Sequence, residues 1–153
     1  MNVQFNLQQI TYEDFMAYAK AAQTLDTTAM YRLASTALVS WDYDTPTEDG
    51  IAALPSLMES AAVLGQFNKL IENLQQELED DESITVDLSK WNAARWADCE
   101  QARADEKWTK AVSMMKEVCK GKGVSSDPLP AIVGVKMWRA MTQKYLNAIM
   151  GKL

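Results

Sequence analysis

Apolar and polar residues alternate at two places in the chain. In NVQFNLQQ, Val3, Phe5 and Leu7 fall on every second residue, and in SITVDLSKW, Ile84, Val86 and Leu88 do the same. This is the period of a half-buried strand, and it predicts short strands over residues 2–8 and 83–88. Each is followed by a helix-starting signal, Thr11 ahead of Asp14 and Ser89 ahead of Asn92, where a hydroxyl can cap free backbone N–H groups. The period then lengthens to three and four. Tyr12, Phe15, Met16 and Ala19 share one helical face, and Met30, Leu33, Ala34, Ala37 and Trp41 share another, so the second helix is expected to reach Trp41. In the other half, SKWNAARWADCEQARA is followed by a face of Trp108, Val112, Met115 and Cys119, with Gly121 as its stop. Asp26 and Asp105 are read as opening the second helix of each pair. Two longer helices close the halves. One starts at Pro55 and carries Leu57, Ala61, Leu64, Phe67, Ile71, Leu74 and Leu78; the other starts at Pro130 and carries Ile132, Val135, Trp138, Met141, Tyr145, Ile149 and Leu153.

The expected fold is therefore mainly α, with about six helices and two short β-strands. Strand, helix, helix, long helix occurs twice, which divides the chain into units over residues 1–80 and 83–153. The second reads as a diverged repeat packed on the first. Identity between the halves is poor, so duplication and the coincidence of a common helical pattern both stand at this point. The acidic run QQELEDDES is the linker candidate, and its charges at a helix C-terminus predict fraying there.

Charge sharpens this division. Residues 1–82 hold 3 Lys/Arg against 14 Asp/Glu, net −11, whereas residues 83–153 hold 12 against 7, net +5. Opposite potentials of this kind allow the halves, or copies in a homo-oligomer, to attract one another. With 153 residues, 48% of them hydrophobic, the chain can bury a real core. It shows neither a cationic start with an apolar h-region nor a run of about 18 apolar residues, so secretion and membrane spanning are not indicated and a cytoplasmic location is expected. Histidine is absent, which removes the commonest metal ligand and the usual general base. The two cysteines, Cys99 and Cys119, have no second ligand at a metal-binding spacing and read as buried thiols.

The acidic stretch WDYDTPTEDG opens like a calcium loop with Asp42 and Asp44. A calcium loop needs Gly at its sixth position and Glu at its twelfth, and those places hold Thr47 and Ala53. No metal site, cofactor site or catalytic residue is assigned. Ser35, Ser40 and Ser56 lack a base, and GKG at residues 121–123 is too short for a phosphate loop and follows a helix. Lys107, Lys110, Lys116, Lys120 and Lys122 are interspersed with Glu106 and Glu117, and the acidic half would repel a polyanion, so nucleic acid is not an expected partner. Trp91, Trp96, Trp108 and Trp138 read as core or protein-interface residues. Trp41, Leu64, Phe67 and Ile71, with Trp108 and Trp138, are the expected core. Trp41, Asp42, Asp44, Glu48 and Asp49 on the acidic side, with Lys107, Lys110 and Lys116 on the basic side, are the candidate partner-binding residues.

Residues 3–78 resemble the small tail assembly chaperones of tailed bacteriophages and prophages. The resemblance lies in the alternating start, the IT that opens a helix, the helix of small residues ending in VSWD, and the LP that opens a long amphipathic helix. It implies a non-enzymatic protein that coats the helical tape measure protein during tail assembly and helps recruit tail tube subunits. The second half departs from the pattern: it lacks the Trp-Asp phrase and is basic. Two other classes stand beside this reading. One is a helical structural or interaction subunit of a larger phage or prophage assembly. The other is an acidic inhibitor of a nucleic-acid-binding host protein, focused on Glu77, Glu79, Asp80, Asp81 and Glu82.

Overall fold

The computed structural model describes residues 2–77 and 83–151. The chain divides into two compact units, Met1–Glu79 and Asp80–Leu153. Among the described residues there are six α-helices and two small antiparallel sheets of two strands each. The linker residues 79–82, with Leu78, Lys152 and Leu153, lie outside the described residues.

In the first unit, β1 (Val3–Phe5) leads through a 3₁₀ turn (Leu7–Gln9) into α1 (Tyr12–Thr24) and α2 (Thr27–Ser35). There follow β2 (Leu38–Trp41), further 3₁₀ turns at Thr47–Asp49 and Ile51–Ala53, and α3 (Leu57–Glu77). The expected strand stops early because the Asn6 side chain accepts the Gln8 N–H at 3.0 Å and turns the chain. Thr11 caps α1 by accepting the Asp14 N–H at 3.1 Å. The helix ends at Leu25 in the left-handed conformation, where the Leu25 and Asp26 N–H groups donate back to Ala22 and Ala21 at 3.4 and 2.9 Å. Asp26 then caps α2 through the Ala29 N–H at 3.2 Å.

The helix expected to reach Trp41 ends at Ser35 instead. The hydroxyls of Ser35 and Thr36 donate back to the carbonyls of Tyr31 and Leu33, both at 2.6 Å, and compete with continuation of the helix. Leu38–Trp41 becomes β2, which satisfies the backbone of β1; a lone strand would leave those groups unpaired. Phe5 faces Leu38, Gln4 faces Ser40 and Val3 faces Trp41, so Val39 is the extra residue of a bulge. At the centre of the core is Phe67, fully buried, with Phe5 tilted on it at 5.2 Å and Tyr18 edge-on at 4.9 Å. Burying a side chain of this size contributes roughly 1.5–3 kcal/mol.

The second unit runs β3 (Thr85–Val86), a 3₁₀ turn (Leu88–Lys90), α4 (Ala93–Ala104), α5 (Trp108–Val118), β4 (Cys119–Lys120) and α6 (Ala131–Ile149). Asn92, not Ser89, caps α4, accepting the Arg95 N–H at 2.8 Å. Ser89 lies within the 3₁₀ turn, where it donates to Asp87. Asp105 closes α4 and does not open α5, whose preceding residue is Lys107. Cys119 leaves the expected helix to pair with Val86. Gly121 is required by a close approach: a Cβ there would meet the Ser83 carbonyl oxygen at 2.7 Å. The core is rich in methionine, with Met114, Met115, Met137 and Met141 all buried.

The two units share more than an order of elements. The Asn6 N–H donates to the Ala37 carbonyl at 2.7 Å and the Asp87 N–H to that of Val118 at 2.9 Å; Asp87 follows Asn6, and Val118 follows Ala37, by 81 residues. The same spacing relates the facing pair Phe5 and Leu38 to Val86 and Cys119. It also relates the left-handed Leu25 to the left-handed Glu106, and the bond from Asp26 to Ala21 to that from Lys107 to Ala102. One architecture is thus written twice, without insertion, from the first strand to the second.

The face expected for α3 is buried at Leu64, Phe67 and Leu74, whereas α6 buries a face turned away from the expected one. In α3 the buried residues include Ser60, Val63, Leu64, Phe67 and Leu74, while Leu57 is 75% exposed. In α6 they are Ala131, Gly134, Met137 and Met141, while Ile132, Val135, Trp138 and Tyr145 are half-buried. Of the expected core, Leu64, Phe67 and Trp108 are buried, whereas Trp41, Ile71 and Trp138 are half-buried.

Candidate partner-binding site

The acidic connection of the first unit is held by structural bonds. Trp41 donates its indole N–H to the Thr45 carbonyl at 2.7 Å and meets Tyr43 edge-on at 5.3 Å, which closes the chain into a turn after β2. Asp42 accepts the Asn2 N–H at 3.2 Å. Further on, Ser35 Oγ accepts the Ile51 N–H at 3.0 Å, and the buried Ser60 hydroxyl donates to the Ile51 carbonyl at 2.9 Å. Ile51 is itself fully buried, so the segment is anchored at both ends. Asp42, Asp44, Glu48 and Asp49 are exposed along it. Among the described residues, no three His, Cys, Asp or Glu side chains converge on a point that could hold a metal ion.

The three candidate lysines divide. Lys107, just before α5, and Lys110, on it, are exposed, but Lys116 is half-buried and donates to the Ser126 carbonyl at 2.9 Å, tying the loop before α6 to α5. Lys116 therefore has a structural contact of its own, which Lys107 and Lys110 are not shown to have.

A more developed site lies in the second unit, where three of the tryptophans come together. The entry of the chain into α4 and the C-terminal half of α6 enclose a cleft of about 520 Å³. Its apolar lining includes Leu88, Trp91, Ala93, Trp96, Tyr145 and Ala148; Asp87, Ser89, Asn92 and Lys144 bring polar groups to it. Trp96 stacks on Trp138 with ring centroids 5.4 Å apart and meets the edges of Tyr145 at 4.5 Å and Trp91 at 6.3 Å. The Arg103 guanidinium lies 3.8 Å from the Trp138 ring centroid and 5.3 Å from that of Trp108, continuing the array by cation–π contact. Glu117 on α5 accepts the Trp91 indole N–H at 3.2 Å and pairs with Arg95, so the Trp91 ring is held in place.

The ionisable groups around the cleft are engaged in structure. Lys144 donates to the Val86 carbonyl at 2.9 Å. Asp87 accepts from the Ser89 hydroxyl at 2.5 Å and the Ser89 N–H at 3.1 Å. The hydroxyl bond first, then the backbone bond, holds the Asp87 carboxyl below its usual range, with smaller help from Lys90 and Lys144. The arrangement offers rigid aromatic surface with fixed polar groups around it, which is chemistry suited to holding an apolar group.

Trp91, Trp96 and Trp138 carried a signal in the sequence as large aromatics at helical spacing. Tyr145 was visible only as part of the apolar stripe of the last helix, and Ala93, Lys144 and Ala148 carried no signal, because only the tertiary structure gives them a common cleft. Comparison with protein-family models, curated proteins and solved structures yields no match. No helix among the described residues is long and apolar enough to cross a membrane.

Proposed function

We propose that the protein is a non-enzymatic binding module of the tail assembly chaperone kind, acting in the host cytoplasm on an apolar helical segment of a tape measure or other tail protein. The observation that carries this reading is the half-buried aromatic array of the second unit, Trp91, Trp96, Tyr145 and Trp138, around an open cleft. Aromatic residues with Arg beside them are what protein contact surfaces are enriched in. A helix with apolar residues at intervals of three and four can lay its stripe into such a surface. The half-buried face of α6 through Ile132, Val135 and Trp138 extends the apolar surface available to it. The resemblance of residues 3–78 to tail assembly chaperones supplies the class of client.

Co-expression with the long helical protein encoded beside it, followed by copurification, tests the reading. The complex should form with the wild type and weaken with Trp96→Ala, whose ring is in contact with three others. A wild type that binds neither a tape measure protein nor tail subunits would sink the proposal.

A further inference from the structure

The two units solve one packing problem with different side chains. Counting back 81 residues along the strand and first helix brings Ala93 of the cleft to Tyr12. The last helices correspond at a spacing of 74: Ala131 and Leu57 begin them, and the buried Met137 and Met141 fall at the buried Val63 and Phe67. That spacing brings Ala148 of the cleft to Leu74. Tyr12 is 1% exposed and Leu74 8% exposed. Where the first unit buries a phenol ring and an isobutyl group, the second has two methyl groups and open space. The neighbouring positions keep their bulk, Leu88 at Leu7, Trp91 at Ile10, Trp96 at Phe15 and Tyr145 at Ile71. The cleft therefore comes from two replacements by alanine on facing helices, within apolar walls that are otherwise as large or larger.

We propose that this cleft is a socket for an aromatic side chain, tyrosine or phenylalanine, projecting from a helical segment of a partner protein. The incoming ring takes in trans the place that Tyr12 takes within the first unit. Three rings already meet edge to face there, and a fourth ring adds to them with the same favoured geometry. Trp96 is fixed by its stack on Trp138 and Trp91 by its bond to Glu117, so little side-chain freedom is lost on binding. An unfilled apolar space forfeits dispersion contacts on its lining, and a ring restores them. The proposal rests on the reading of the protein as a partner-binding module and names what the partner must present.

The test uses the full chain and p-cresol, the isolated tyrosine side chain, titrated while tryptophan fluorescence and the methyl NMR signals of Ala93 and Ala148 are followed. Saturable shifts centred on those two methyls are expected. Ala93→Tyr should fill the socket from within, raising the melting temperature and removing the response to p-cresol. Ala148→Leu narrows the cleft from the facing helix without adding a ring, and it should also remove the response. Absence of saturation with the wild type, or an unchanged response in a folded Ala93→Tyr or Ala148→Leu chain, overturns the socket. Self-association of the wild type that Ala93→Tyr abolishes would make the occupant a second copy and overturn the assignment to a partner. The p-cresol readout needs no tail protein, so failure of the socket and failure of the proposed function are separately visible.

Discussion

Replacing Leu25 with glycine should stabilise the protein. Leu25 sits between α1 and α2 at φ 55° and ψ 37°, and its side chain is 79% exposed. A residue with a Cβ in this left-handed conformation costs roughly 1–2 kcal/mol from the clash with the following carbonyl oxygen. So exposed a side chain gains little from burial in return. Glycine removes the clash but gives the unfolded chain more freedom, which takes back about 0.5–1 kcal/mol. The balance favours glycine by about 0.5–1 kcal/mol. The bonds that close α1 come from the backbone N–H groups of Leu25 and Asp26 and survive the change. For a chain of this length the gain corresponds to a rise in Tm of about 1–4 °C. Thermal melts by far-UV circular dichroism read it, and urea unfolding should show a higher midpoint with the slope unchanged. Leu25→Ala is the control, because it removes the exposed side chain and keeps the Cβ, and it should leave Tm nearly where it was. A Leu25→Gly protein that melts at or below Leu25→Ala would show that backbone strain at this position is not what limits stability.

Alkaline pH should destabilise the fold through two buried groups. Burial pushes the Tyr18 hydroxyl up from 10.0 to about 12, and burial first, then Cys99, pushes the Cys119 thiol up from 9.0 to about 12. Both keep their protons in the folded chain at pH values where the unfolded chain releases them. Their contribution is thus fully present below about pH 9 and lost as pH rises toward 12, which urea unfolding on either side of pH 9 measures; equal midpoints would refute it. Ser60→Ala should cost about 0.5–1.5 kcal/mol, because it removes the 2.9 Å bond to the carbonyl of the fully buried Ile51, which keeps the Leu54 N–H at 3.2 Å as its remaining donor. An unchanged denaturation midpoint for that variant would mean that the bond from Leu54 alone satisfies the Ile51 carbonyl and the Ser60 hydroxyl adds nothing.

Local patterns carried a definite part of this protein. The change from a period of two to a period of three and four placed the first strand of each unit and all six helices, because periodicity depends only on neighbouring residues. Capping was legible at Thr11 and Asp26 for the same reason. The charge division belongs to the sequence alone, and so does the absence of histidine. Pairing was another matter. Leu38–Trp41 and Cys119–Lys120 continue apolar helical faces, and they become strands because β1 and β3 need backbone partners that no local window contains. The faces that α3 and α6 bury were likewise decided by what they pack against: Leu57 and Ile149 fit the helical stripe and are 75% and 66% exposed. The site followed the same division. Its tryptophans were visible as aromatics, but Ala93 and Ala148 matter only as the places where Tyr12 and Leu74 of the first unit are missing. That equivalence shows in hydrogen bonds repeated at a constant spacing and hardly at all in residue identity, since backbone geometry can be conserved by many side chains while an open cleft depends on the volume of two.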